Sequence, residues 1–280
     1  MLLLRRFLTK QQSHLIRNYA SGKKFVEVTQ DEKTGIHVVS MAKPPVNSLN
    51  LELLEDLKTS LEEAQKDKCK GIILSSSLPT IFSAGLDIME MYKPDVNRFT
   101  TFWRTLQDTW MTLYGLEVPI AAAINGASPA GGCLLAISSE YRVLVDGKHT
   151  IGLNETQLGI VAPKWFIDPY IDTIGKRQAE LALLRGTLFR PNEALHIGLV
   201  DELAVNKEEA IKKCQNYIYS YNKTPQLARK LTKLQLRMET ISWLQQNREA
   251  ELSKTLKFVT SPSVQNNLHT YIEALKQKQS

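Results

Sequence analysis

Nothing in the 280-residue sequence approaches the ~18 consecutive apolar residues that a membrane-spanning helix needs, so no membrane span is expected. The three cysteines, Cys69, Cys133 and Cys214, lie far apart and form no CxxC pair. That spacing argues against a disulfide framework or a zinc site and fits a reducing compartment. The five histidines are scattered, without an HExxH or an i, i+4 pair, and no metal site is expected. There is no repeat of fixed period and no low-complexity linker. Acidic residues are also missing from one region: none precedes Glu27.

That last absence locates the net charge of +6. Residues 1–24 hold six basic side chains, Arg5, Arg6, Lys10, Arg17, Lys23 and Lys24; without them 29 basic residues face 29 acidic ones. A neutral body is not the footprint of a nucleic-acid binder, whose basic excess sits on the folded domain. The leader MLLLRRFLTKQQSHLIRNYASGKK reads instead as an amphipathic, acid-free mitochondrial transit peptide over residues 1–20, processed near Tyr19. The expected location is the mitochondrial matrix. The C-terminus, LKQKQS, carries no SKL-type address.

Residues 24–205 alternate short apolar runs with amphipathic helical patterns, which implies an α/β core. FVEVTQDEKTGIHVVSMA offers two strands around a turn, and GIILSSS, VPIAAAINGA and YRVLVD read as further strands. LELLEDLKTSLEEAQ puts Leu51, Leu54, Leu57 and Leu61 on one helical face. RFTTFWRTLQDTWMTLYGL spaces Phe99, Phe102, Trp103, Leu106, Trp110 and Leu113 as a core-facing stripe, and GGCLLAISS is a short helix. Residues 206–280 contain no strand and four helical candidates, KEEAIKKCQNYIYSYN, PQLARKLTKLQLRMETISW, REAELSKTLKFVT and SVQNNLHTYIEALKQK; Thr224 and Pro225 suit an N-cap and first helical position. This tail is expected to pack on the core or on a neighbouring subunit. Lys230, Lys233 and Arg237 on it read as a solvated helix face.

Three stretches carry candidate chemistry: FSAGLDIMEM (82–91), INGASPAGGCLLA (124–136) and IGLNETQLGI (151–160). The first two place small residues at strand-to-helix junctions, where free backbone N–H groups and a helix dipole favour negative charge. Two such junctions facing one another would form a two-donor oxyanion hole. In the third, Glu155 is a lone carboxylate in an apolar run. Asn154 is a candidate cap of a short helical turn with Glu155 solvated beside it; alternatively, Glu155 is a buried acid–base group.

Together, in this order, these motifs resemble the crotonase (enoyl-CoA hydratase/isomerase) superfamily over nearly the whole chain after the leader. The resemblance implies an α/β fold, the crotonase (ClpP-like) spiral of ββα units, with a C-terminal α-helical region that builds a homotrimer. It implies a fatty acyl-CoA substrate with no cofactor beyond its own coenzyme A. Its thioester oxygen would be held by the backbone N–H groups of Leu86 and Gly131. Coenzyme A would lie along Ala84, Gly85, Leu86, Asp87 and Ile88, and the acyl chain would pass Asn154 and Glu155. LNETQLGI resembles the isomerase branch, in which one glutamate moves a proton from C2 to C4 and shifts a cis-3 or trans-3 double bond to trans-2. Hydratases of the family typically carry a second glutamate directly after Gly-Gly-Cys, where this chain has Leu134. The alternatives are an enoyl-CoA hydratase, another reaction on the same fold, or a crotonase-fold protein that binds RNA or a partner protein.

Overall fold

The structure is a computed structural model that describes residues 15–16 and 24–277. The expected leader and the expected cleavage point near Tyr19 therefore lie outside the described residues, apart from the two-residue strand β1 (Leu15–Ile16). β1 pairs antiparallel with β2 (Val26–Asp31), which forms a hairpin with β3 (Ile36–Met41). Asp31 makes that turn: its carbonyl accepts from Gly35 N–H at 2.7 Å and its carboxylate from Lys33 N–H at 3.0 Å.

From β3 onward the pairing is parallel, through β4 (Gly71–Ser76), β5 (Ile120–Ile124), β7 (Tyr141–Val145) and β9 (Glu202–Ala204). The expected strands are all present. Each of the first parallel strands is followed by a short extended segment and then a helix. Leu49 bridges Leu86, Ile81 bridges Ala127, and β6 (Ser128–Pro129) pairs with β8 (Ile151–Gly152). The helices of these turns are α1 (Leu51–Lys66), α2 (Val96–Tyr114), α3 (Gly131–Ser138) and α4 (Lys164–Ile174). This strand, short strand, helix repeat is the spiral of ββα units. Two helices without a sequence-based counterpart follow, α5 (Lys176–Arg185) and α6 (Pro191–His196).

Side-chain alternation along the strands fills both faces of the sheet. Ile72, Leu74, Ile120, Ala122 and Ile124 face the main core with Leu53, Leu54, Leu57 and Leu61 of α1 and the aromatic stripe of α2. Ile73, Ala121, Ala123 and Val143 face the other way, against Ala210, Cys214 and Ile218 of α7 (Lys207–Ser220). The whole α2 stripe is buried, as its spacing predicts, whereas on α1 Leu53 takes the core position and Leu51 sits at the edge.

Among the described residues the tail has three α-helices rather than four: α7, a 34-residue α8 (Gln226–Val259) and α9 (Pro262–Gln277). The stretch joining the two middle candidates contains neither Pro nor Gly, and Asn247 bonds back to the Trp243 carbonyl at 2.8 Å, so the helix runs through. Pro225 rather than Thr224 is the N-cap of α8; its extended backbone leaves its carbonyl to accept from Arg229 N–H at 3.1 Å. Lys230, Lys233 and Arg237 do not form the expected solvated face, and Lys230 is half-buried and paired with Glu117. Lys233 is buried, bonding Glu140 Oε1 at 2.7 Å and the Leu116 carbonyl at 2.6 Å. Arg237 donates to the Tyr114 and Ser138 carbonyls at 2.8 and 2.9 Å. No helix among the described residues is long and apolar enough to cross a membrane.

Candidate functional site

The spiral brings the two glycine junctions into contact. A Cβ placed on Gly85 would lie 3.0 Å from Ala130 Cβ and 3.2 Å from Gly131 N, and one on Gly131 would lie 3.2 Å from Leu86 N. Gly85 also has φ +89°, so only glycine fits there on both steric and backbone grounds. Leu49 N–H donates to the Gly85 carbonyl at 2.9 Å, and Asp87 N–H to the Leu49 carbonyl at 3.0 Å. In this extended segment the Leu86 N–H must then point to the opposite side, toward Gly131. Gly131 begins α3, where N–H groups have no intrahelical acceptor. Neither the Leu86 nor the Gly131 N–H donates to an acceptor among the described residues.

Ala130, just before Gly131, has φ +49° and ψ −120°, a strained conformation for a residue with a Cβ. Its N–H is held by the Gly152 carbonyl at 2.8 Å, which ties the start of α3 to β8. One expected detail differs. Ala84-Gly85-Leu86 leads not into a long helix but into a single 3-10 turn, Ile88–Glu90, and α2 starts only at Val96. The Leu86 donor therefore has no helix dipole behind it; of the two, only Gly131 has one.

Three residues after β8 the chain makes a second 3-10 turn, Glu155–Leu158, closed by Gly159 at φ +71°. Asn154 precedes this turn but its side chain does not cap it; its Oδ1 is buried without a hydrogen-bond partner. Glu155 is not solvated either. It is 5% exposed, and both carboxylate oxygens lack a partner. Burial pushes its carboxyl from the usual range up to about 7. Cys133 of α3 and Tyr170 of α4 are its titratable neighbours: burial raises both, and the Glu155 charge raises them further. Leu134, beside Cys133, is fully buried.

The remaining named residues divide. Ala84 is exposed, with its N–H bonded to the Val46 carbonyl at 2.9 Å, and Ile88 is half-buried. The Asp87 side chain turns inward: Oδ2 accepts from Ser48 Oγ at 2.9 Å and Lys43 Nζ at 3.3 Å, and Oδ1 from Met89 N–H at 3.1 Å. The sequence reading missed Lys43, Asn47 and Ser48. Asn47, fully buried at φ +49°, donates to Ser76 Oγ at 2.8 Å and the Phe82 carbonyl at 3.0 Å, and accepts from Lys43 N–H at 2.7 Å. The only signal for it was an Asn in a polar, Pro-rich turn.

The tail helix α9 closes the arrangement. Gln265 bonds the Met91 carbonyl at 3.0 Å and Lys93 N–H at 2.8 Å, and the Tyr92 hydroxyl meets His269 Nδ1 at 3.1 Å. On the other side Asn267 packs so closely on Gly159 that a Cβ there would sit 2.0 Å from its Nδ2. α9 thus spans from the loop after Leu86 to the turn that carries Glu155. Two surface cavities, of about 730 and 500 Å³, lie elsewhere, by Lys68 and Lys230 and by Arg142 and Arg237. They contain none of these residues. No group of three or more His, Cys, Asp or Glu among the described residues could hold a metal ion.

Residues 31–279 match the family model of enoyl-CoA hydratase/isomerase. The chain belongs to this family. Among its relatives is mitochondrial enoyl-CoA delta isomerase 1 of Mus musculus, 45% identical over 264 residues that cover 94% of this chain and 90% of the relative. The Homo sapiens enzyme of the same name is 42% identical, covering 92% of this chain and 85% of that one. The crystal structure of human mitochondrial delta3-delta2-enoyl-CoA isomerase superposes with a TM-score of 0.89 over 92% of this chain and all of the other. An enoyl-CoA hydratase from Bacillus halodurans, 22% identical, matches 88% of this chain and all of its own with a TM-score of 0.77, a likeness of fold. Within the described residues, then, the spiral carries a buried carboxylate without a hydrogen-bond partner, Glu155, and two backbone N–H groups without an acceptor, those of Leu86 and Gly131.

Proposed function

We propose that this chain is an enoyl-CoA isomerase that moves the double bond of cis-3- or trans-3-enoyl-CoA to the trans-2 position in the β-oxidation of unsaturated fatty acids. The observation that carries the reading is Glu155, buried, unpartnered and poised near neutrality. Its carboxylate takes a proton from C2 of the acyl chain, and the electron pair delocalises into a dienolate whose charge collects on the thioester oxygen. The Leu86 and Gly131 N–H groups stabilise that charge as it develops. The carboxylic acid then returns the proton to C4, and the double bond settles between C2 and C3. No electrons are gained or lost, and coenzyme A as part of the substrate is the only cofactor the reaction needs.

Several observations support the isomerase over the hydratase. Leu134 supplies an apolar side chain where a second carboxylate would help position water, and identity to the delta isomerases reaches 46%. An RNA-binding role finds little support, because Lys233 and Arg237 are spent on buried partners. A mitochondrial matrix location rests on the acid-free leader and on the mitochondrial names of the relatives. A homotrimer built by the helical tail remains part of the proposal, supported by the exposed Leu227, Leu231 and Met238 along α8.

The test is a single reaction of purified protein with 3-enoyl-CoA, following both double-bond migration and 3-hydroxyacyl-CoA formation. Migration that outpaces hydration is the expected result. Hydration as fast as migration would restore the hydratase, and no turnover of either kind would remove the enzyme reading.

A further inference from the structure

The Leu86 N–H is useful only if it is aimed, and nothing in its own segment aims it. The peptide that carries it follows a glycine at φ +89°, the most permissive kind of backbone position. Leu86 sits in no regular strand; its single bridge is to Leu49. Leu49 belongs to the β3–α1 connection, itself a loop, so one loop is being held by another.

Fastenings join the two loops at successive points. At one end Ala84 N–H meets the Val46 carbonyl, and Ser83 Oγ donates to the Asn47 carbonyl at 2.7 Å. At the other, Glu90 is buried and accepts from Leu51 N–H at 3.1 Å and from Arg98 Nε at 2.9 Å. Between them, directly after Leu86, the carboxylate of Asp87 takes Ser48 Oγ at 2.9 Å and Lys43 Nζ at 3.3 Å. Lys43 Nζ also donates to the Ser48 carbonyl at 3.0 Å and hydroxyl at 2.9 Å, so the three residues form a closed ring of bonds. The Lys43 and Asp87 side chains are only 14% and 22% exposed, a setting in which a charge-assisted bond holds geometry better than at a fully wet surface.

Rotation of the Leu86 peptide would have to break the bond between Leu49 N–H and the Gly85 carbonyl. Movement of the next peptide would have to break Asp87 N–H to the Leu49 carbonyl and then the Asp87 ring. We infer that Asp87, linked to Lys43 and Ser48, is a positioning residue that fixes the direction of the Leu86 N–H, rather than a group that touches the substrate. The inference rests on the isomerase reading above and adds to it a specific source of preorganisation. A donor misaimed by a fraction of an ångström still lets substrate bind but loses its grip on the developing oxyanion. The loss therefore falls on kcat and not on KM.

The test compares wild type, Asp87→Ala, Lys43→Met and the double variant with a 3-enoyl-CoA, recording kcat, KM and thermal midpoint for each. Removal of an oxyanion donor outright costs ~10²–10³-fold in kcat, so a loosened donor is expected to cost roughly 10-fold or more with KM within about twofold. Lys43→Met should show the same pattern at smaller size. The double variant should be little worse than Asp87→Ala alone, because both changes break one ring. An unchanged kcat in folded Asp87→Ala overturns the inference, as does a rise in KM alone, which would make Asp87 a direct contact to coenzyme A. If Asp87→Ala does not fold, Lys43→Met decides by the same kcat-against-KM split. An inactive wild type would overturn the isomerase reading itself, so the two failures are distinct.

Discussion

Two glutamates fifteen positions apart, Glu140 with a side chain only 10% exposed and Glu155 buried, have opposite surroundings. Glu140 is paired on every side: Arg229 Nη1 at 2.8 Å, Lys233 Nζ at 2.7 Å and the Tyr217 hydroxyl at 3.2 Å. Burial pushes its carboxyl up, but Lys233, Arg229 and Arg237 outweigh that and hold it below the usual range. Glu155 has no side-chain or charged partner, and burial outweighs the small opposing effect of its own backbone N–H. Glu251, another buried glutamate, is likewise satisfied by hydrogen bonds, accepting from Trp103 Nε1 at 2.7 Å and Gln107 Nε2 at 2.6 Å. The contrast shows what separates a joint from a reactive group. A satisfied carboxylate ties elements together and stays ionised, while an unsatisfied one is held near its proton-exchange point.

The largest break in this comparison is expected from Glu155→Gln. The amide cannot accept the C2 proton, and positioned acid–base groups contribute ~10²–10⁴-fold, so kcat should fall by that range while acyl-CoA affinity and fold persist. Turnover near wild type in the purified variant would end the single-base mechanism. Glu140→Gln should do the reverse. It strands the Arg229 and Lys233 charges in the interior, a change that typically costs about 3–5 kcal/mol of stability. Denaturant melts should show that loss, with turnover per folded molecule preserved; a stable Glu140→Gln protein would mean that the cluster is not a joint.

The smallest effect is the most diagnostic for Glu155, because it reverses the usual sign. Its carboxyl sits at about 7 in the folded chain against 4.5 in the unfolded one. Between those values the native state binds more protons than the unfolded state, so folding stability falls as pH rises from about 4.5 to about 7, then levels. Glu155→Gln carries no such penalty. It should be the more stable protein at high pH, its margin over wild type widening by about 2–3 kcal/mol between pH 5 and pH 8. A constant margin across that interval would show that Glu155 is not desolvated in solution.

Much of the scaffold was legible because its signals are local. The spacing of Phe99, Phe102, Trp103, Leu106 and Trp110 declares a helix face without reference to any other segment, and all five are buried. The apolar run GIILSS declares a strand covered on both faces, and every one of its residues is buried. Lys233 and Arg237 misled because their partners are distant in sequence: Glu140 lies 93 positions from Lys233, and the Ser138 carbonyl 99 from Arg237. Helix α8 was divided in two because polar residues such as Gln245, Gln246 and Asn247 mimic a connection when nothing local shows that the helix has tertiary support.

By itself the sequence determined the main strands and the helices α1 to α3 in their order, the small residues at the two junctions, and a carboxylate at 155 among apolar neighbours. Periodicity and residue type act over a few positions, and a one-dimensional pattern contains them. Only the tertiary structure decided that Glu155 has no partner, that Leu86 is aimed by Leu49 and braced by Asp87, and that α9 reaches both sides of the site. Those facts depend on which groups meet across long loops. An unsatisfied carboxylate is defined by everything that fails to reach it, and no stretch of sequence, however close to Glu155, contains that information.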